Sequence, residues 1–453
     1  MSRTLRGAVL LALTLAAVPV PAPAVSLSSV ARAAPVREAP SCHGETATIV
    51  GTDGADELTG TRGHDVIVGR GGDDRIEALG GSDVVCAGPD GDLVRGGAGD
   101  DDIAGGRGGD FAAGGSGADR VRTGRGAVEG LFGGEGDDRL SGGPGSFDGL
   151  VGGPGDDVMD GGDGLDTAQF FDSPQGVQVD LRSDSATGHG DDVVIEIEGI
   201  VGSNHDDVLD GDDTSNRLVG QQGDDVIRAY GSGTLEDATG DIVSGGSGDD
   251  LLDAGAGADV VDFQDARGPV VLDLEEGTSE GEGSDTLAGF EAAIGSDFDD
   301  ELAGDPGDNA LAGGEGDDTL DGRAGTDQAA FFNARAPVVV DLDAGTAEGS
   351  GADVLIDVED VVGSAGDDLL AGDDGANTIV GGSGADVIEG RAGDDVLVGA
   401  AGDDRADGGA GLDSCDAEEE ASCEADPFTD PSLRAVWGPG ILPVRPVRSQ
   451  LEH

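Results

Sequence analysis

The chain has 453 residues, with 87 Gly, 95 Asp and Glu against 24 Lys and Arg, and only 11 Phe, one Trp and one Tyr, for a formal net charge of −71. This length allows two or three domains, but 36% hydrophobic residues and 3% aromatics argue against ordinary cores, and low hydrophobicity with this much like charge normally signals disorder. A polyanion has no basic face with which to displace counterions, so nucleic acid and anionic membrane are excluded as partners and cations are favoured.

All the basic residues are Arg, and the missing Lys removes phosphate-cradling Gly-Lys-Ser/Thr loops, Schiff-base lysines and kinase-type lysines. At the N-terminus, Arg3 and Arg6 precede an apolar run from Gly7 to Val20 and two small-residue cleavage sites, Ala22-Pro23-Ala24 and Ala31-Arg32-Ala33. Residues 1–33 therefore read as a secretory signal peptide and 34–50 as an N-terminal linker or cap. No later run of about 18 apolar residues could span a bilayer, so a secreted, extracellular protein without membrane insertion is expected. Residues 51–425 carry 90 acids and 17 Arg, a net of −73, while the flanks carry 5 acids and 7 Arg, a net of +2.

That acidic middle has a nine-residue beat. Asp56, Asp65, Asp74, Asp83, Asp92, Asp101, Asp110 and Asp119 follow one another without a break, each with an apolar or small residue two places on, from Leu58 to Val121. The unit is a Gly-rich turn, an acid, any residue, then an apolar one. It resumes at Asp138, Asp148, Asp157 and Asp166, completing a first block over 51–166. A second block (207–259) holds Asp207, Asn216, Asp225, Asp241, Asp250 and Asp259, and a third (300–327) holds Asp300, Asn309, Asp318 and Asp327. The fourth (368–414) holds Asp368, Asn377, Asp386, Asp395, Asp404 and Asp413.

Connectors of constant length separate the blocks at 167–206, 260–299 and 328–367. In each, Phe170, Phe263 or Phe331 is followed by Asp180, Asp273 or Asp341 in a VDL-type strand. Eighteen residues later comes Glu198, Glu291 or Glu359. Because eighteen is twice nine, the connectors are expected to continue the same coil with longer, more apolar strands and one absorbed insertion. Residues 415–423 form a Cys-containing cap and 424–453 a Pro-rich tail.

Segments such as GGRGGDFAA, GGEGDDRLS, GGSGDDLLD and GGSGADVIE resemble the GGxGxDxUx nonapeptide of the repeat-in-toxin (RTX) calcium-binding proteins. With the VDL connectors that accompany such repeats, the resemblance spans about 80% of the chain. It implies an all-β fold, a parallel β-roll or β-helix solenoid with two nonapeptides per coil. It also implies multiple Ca²⁺ ions held by the twenty-eight Asp and Asn residues just named. The residue chemistry agrees. Glycines let a turn aim carbonyl oxygens inward, and Ca²⁺ takes six to eight oxygens in a tolerant geometry. Burying one Val, Leu or Ile contributes roughly 1.5–3 kcal/mol, whereas ordering nine residues costs about 1–2 kcal/mol each, so metal is expected to supply folding free energy. Residues 51–414 would make about 19 or 20 coils with on the order of 20 calcium ions.

The beat fails after Asp119, where Val128 occupies the acid position, and shifts again before Asp148. A bulge is the simplest reading; a ligand-binding surface is the alternative, because Arg107, Arg120, Arg122 and Arg125 cluster there. The insertion around Arg228 and Tyr230 reads the same way. Asn216, Asn309 and Asn377 keep a side-chain oxygen and are expected to lower site charge without abolishing binding. The four Cys allow three pairings, of which Cys42 with Cys86 and Cys415 with Cys423 would staple both ends of a solenoid.

RTX repeats often follow a catalytic domain, but this sequence leaves no room for one and contains no HExxH or GxGxxG. The expectation is an extracellular calcium-binding structural or interaction protein and no enzyme. The alternatives are a polysaccharide-acting enzyme on the flank of the helix, or a surface adhesin. A cell-wall or polysaccharide partner is compatible with secretion, but no residue names it.

Overall fold

The computed structural model describes residues 39–126, 129–145, 147–232, 240–417 and 419–423. The expected signal peptide, the Pro-rich tail and Val128 lie outside them. Each nonapeptide contributes one strand. Glu57–Thr59, Val66–Val68, Arg75–Gly80 and Val84–Pro89 follow in order, and they pair alternately: the first with the third and the second with the fourth, both in parallel. Leu58 thus faces Ile76, and Ile67 faces Val85. A coil is two nonapeptides long.

The period is a consequence of side-chain direction. In a three-residue strand only the central residue points inward. Ile67, Ile76, Ile103, Leu131, Leu209 and Leu218 occupy that place and are fully buried, while Arg75 and Glu77 on either side of Ile76 stay accessible. Central residues from both sheets merge into one aliphatic core. The turns stack at strand spacing, and this requires glycine. Gly97 (φ 114°) and Gly99 (φ 119°) lie in the left-handed region, and a Cβ on either would collide with a carbonyl of the preceding coil, Leu79 or Gly81.

Among the described residues two parallel sheets result, a narrow one of 18 strands and a broad one of 25. This all-β parallel roll matches the expectation, but the connectors do not simply continue the coil. In the first, Gln178–Asp180 pairs antiparallel with Ser185–Thr187, which pairs antiparallel with Asp191–Ile195. Asp191–Ile195 joins Val158–Gly162 behind it, and Gln178–Asp180 joins Val208–Asp210 ahead, both in parallel. The same three-strand meander recurs in the second and third connectors. The cause is local. Four residues after the VDL aspartate sits a left-handed residue, Asp184 (φ 52°), Gly277 (φ 67°) or Gly345 (φ 64°), which reverses the chain. Each connector therefore adds three strands to the broad sheet while the narrow sheet advances by one. Two surplus strands at each of three connectors, with the broad sheet holding both the first and the last strand, account for the unequal counts. They also explain why there are 18 narrow-sheet strands where chain length suggested 19 or 20 coils. Phe170, Phe263 and Phe331 are buried in the core beneath the connectors.

A clamp ties each connector to a turn 50 residues beyond its VDL aspartate. Arg391 donates from Nη1 and Nη2 to the two carboxylate oxygens of Asp341, at 2.8 Å each, and Arg323 grips Asp273 in the same two-pronged way. Tyr230 holds the corresponding place for Asp180, with the Arg182 guanidinium 3.6 Å above its ring. The chain ends are stapled by the two expected disulfides. Cys42–Cys86 joins the Ser41–Cys42 and Glu45–Thr46 hairpin to Val84–Pro89, and Cys415–Cys423 closes the last strands.

Candidate metal sites in the stacked turns

The aspartate of each turn is placed by the strand it precedes, and its carboxylate looks back along the stack. In most turns its Oδ1 accepts the backbone N–H of the equivalent residue one coil earlier. Asp56 donates to Asp74 at 2.8 Å, Asp65 to Asp83 at 2.7 Å, Asp74 to Asp92 at 2.8 Å and Asp83 to Asp101 at 2.8 Å. Two ladders of acids result, one before each sheet. They bridge the second insertion: Asn216 donates to Asp241, and Asp225 to Asp250, across 25 residues. The strand pairing there shifts register between Arg228 and Gly231, and residues 233–239 of the insertion lie outside the described residues. Beside the first phase break, Arg122 is tied to Asp102 at 2.8 Å.

Several ladder members were not legible as site residues. Asp192, Asp285 and Asp353 accept the N–H of Asp157, Asp250 and Asp318. Glu198, Glu291 and Glu359 accept those of Asp166, Asp259 and Asp327, all at 2.9 Å. Their signal is their identical placement in the three connectors. Glu129 takes the place expected of Val128, one residue late and one methylene longer, and is 2% exposed.

The second oxygen of most ladder carboxylates has no partner. Oδ2 of Asp74, Asp83, Asp92, Asp101, Asp110, Asp119, Asp138, Asp157, Asp166, Asp225, Asp241, Asp250, Asp259, Asp318, Asp327, Asp386 and Asp395 is buried without a hydrogen bond, as are both carboxylate oxygens of Glu129 and Asp148. Burial pushes Asp92, Asp101, Asp138, Asp157, Asp225, Asp241, Asp318 and Asp386 up to about 7, with ladder neighbours adding to the rise and the backbone N–H bond opposing it. An ionised group this buried is stable only with a compensating charge.

A family model for RTX calcium-binding nonapeptide repeats matches residues 50–85, 87–112, 95–127, 131–146, 147–168, 200–231, 237–265, 294–329, 357–388 and 380–415. The chain belongs to this RTX family. No curated protein matches it. The longest stretches between RTX matches, 169–199, 266–293 and 330–356, contain the meanders of the connectors.

The RTX assignment and the geometry agree on the kind of ligand. The donors are hard carboxylate oxygens stacked one coil apart among turn carbonyls, the oxygen-only surroundings that Ca²⁺ takes and that soft-metal sites lack. The neighbouring triad Cys42, His43 and Cys86 offers no competing centre, since both sulfurs are in the disulfide. Among the described residues, no helix is long and apolar enough to cross a membrane.

In the turns of Asp56, Asp65, Asp207, Asp300 and Asp368 the second oxygen is not free. A Thr or Ser four residues earlier donates its N–H to Oδ2 and its hydroxyl to the same carboxylate. Asn216, Asn309 and Asn377 accept the N–H of Asp212, Asp305 and Asp373 in the same way.

Proposed function

We propose that this RTX protein is an extracellular calcium-binding structural protein that folds as its turns take up calcium, and that it has no chemistry of its own. The observation that carries the reading is the row of buried, unpartnered carboxylate oxygens that recurs coil after coil. A chain of −71 charge that buries such a row is held apart by its own repulsion until cations are bound. The protein supplies fixed oxygens: Oδ1 is held by the N–H of the previous coil, which leaves Oδ2 as the ligand, and the turn carbonyls lie beside it. Bound Ca²⁺ would contribute two positive charges among the oxygens of successive turns. The candidate ligands are the expected turn acids with unpartnered oxygens, joined by Glu129. Export rests on the N-terminal segment, with its two Arg and apolar run.

The test is far-UV circular dichroism of the purified chain with calcium and with chelator, alongside calorimetric titration. A β signal that appears on calcium addition and disappears on chelation is expected. An unchanged β signal at neutral pH in chelator refutes calcium-coupled folding, and absence of binding heat together with absence of bound metal refutes calcium binding.

A further inference from the structure

We infer that the turns are of two kinds, open and closed, and that only the open ones take calcium; this rests on the calcium-binding reading above. The division is set by the residue at the second place of the turn, after the Gly or Ala that opens it. In open turns it lies in the left-handed region. Gly97, Gly106 and Gly115 do so at no steric cost, and Arg70 (φ 92°), Leu79 (φ 77°), Gln221 (φ 88°), Tyr230 (φ 70°), Arg323 (φ 68°) and Arg391 (φ 72°) do so under strain. Its N–H is then spent on the stack: Arg70 donates to the Ala87 carbonyl and Gly134 to the Gly152 carbonyl, each at 2.9 Å. The aspartate of the same turn is left with an unpartnered Oδ2 at 1–3% exposure, as at Asp74, Asp138 and Asp225.

In closed turns the same place holds Thr52, Thr61, Ser203, Ser296 or Ser364, none in the left-handed region. Its N–H turns inward to Oδ2 at 2.5–2.6 Å and its hydroxyl completes the carboxylate shell. Asp207, Asp300 and Asp368 also receive an N–H on Oδ1, from Val177, Val270 and Val338 of the connector. Hydrogen bonds from donors within the fold offset part of the burial cost of such a carboxylate and occupy the oxygen a metal would need, although burial still raises Asp207 and Asp300.

The asparagine turns close by the same device with the charge moved. Asp212, Asp305 and Asp373 donate N–H to the Asn Oδ1, while the Asn309 and Asn377 amides donate to the Glu291 and Glu359 carbonyls one coil back. Asp could not make that second bond. Asn309 and Asn377 are therefore a hydrogen-bonding choice and not weakened ligands. The eight closed turns also fall in sequence-adjacent pairs, at 51–65, 202–216, 295–309 and 363–377. Every block is headed by one closed coil, and three of the four directly follow a connector.

The experiment counts calcium per folded chain by elemental analysis in two matched quartets. In one, Asp56, Asp207, Asp300 and Asp368 of closed turns are changed to Asn. In the other, the residues one coil further on, Asp74, Asp225, Asp318 and Asp386 of open turns, are changed to Asn. The closed quartet is expected to keep the wild-type calcium count and the open quartet to lose about four ions. Equal losses overturn the division while leaving calcium binding intact; a wild-type chain without calcium fails the underlying reading instead. Should the closed quartet not fold, the triple variant Asn216→Asp, Asn309→Asp, Asn377→Asp decides. No gain of calcium supports the division, and a gain of about three ions overturns it.

Discussion

Removing calcium should make the fold depend on protons. Asp92, Asp101, Asp138, Asp225, Asp241, Asp318 and Asp386 rise from 3.8 to about 7 in the metal-free fold. Such a rise makes ionising one of them inside the fold cost about 4 kcal/mol. Three or four such groups equal the 5–15 kcal/mol that holds a whole domain together, so the metal-free roll cannot carry them charged. Because the folded values lie above the unfolded ones, the contribution of these groups to stability is fully present below about pH 4 and is lost as pH rises through about 7. Metal-free chain, dialysed against chelator and then calcium-free buffer, should show a strong β signal in circular dichroism near about pH 4.5 and lose it by about pH 8. Calcium added at the higher pH should restore it, and acidification of the calcium-loaded chain should release calcium only at lower pH, because bound cation holds the carboxylates ionised. A metal-free chain as structured at high pH as at low pH, or one that folds only on alkalinisation, refutes the reasoning.

The remaining expectations concern the frame that carries the turns. Cys42→Ser combined with Cys86→Ser opens a loop with 44 residues of sequence separation and should cost about 4 kcal/mol, seen as a lower denaturation midpoint in calcium. Arg391→Ala leaves Asp341 without its two-pronged partner and should cost about 1 kcal/mol, with faster hydrogen exchange confined to Val339–Asp341 and its neighbours. Ile227→Ala empties a fully buried central position and should cost about 2–5 kcal/mol, measured by denaturant unfolding at saturating calcium.

The nine-residue beat made the coil, its inward column and most ladder acids legible, because one Asp and one apolar residue per strand is all the geometry asks. It failed where side-chain length or chain direction changed. Glu129 was hidden because the interval from Asp119 is ten residues instead of nine and the acid is one methylene longer. Asp192, Glu198 and their counterparts were hidden because ladder contact there spans 35 or 32 residues, not 18. The meanders were hidden by arithmetic: an interval of eighteen fits one coil as well as a reversal, and only Asp184, Gly277 and Gly345 in the left-handed region distinguish them. The difference between open and closed turns was in plain sight, as Ser, Thr or Asp against Gly or another residue at the second place of the turn, but its meaning lies in where one N–H points.

The clamps bear on a hazard peculiar to monotonous repeats. A strand that slips by one coil meets a neighbour with another aliphatic inward residue and a similar turn, so the core alone penalises the error only weakly. Arg391 reaching Asp341, Arg323 reaching Asp273 and Tyr230 beneath Arg182 each join a unique connector to one particular turn. A slip of a single coil between a connector and its turn would part the couple that joins them. The connectors thus act as punctuation, dividing a text of nearly identical words into sentences that can be aligned in one way.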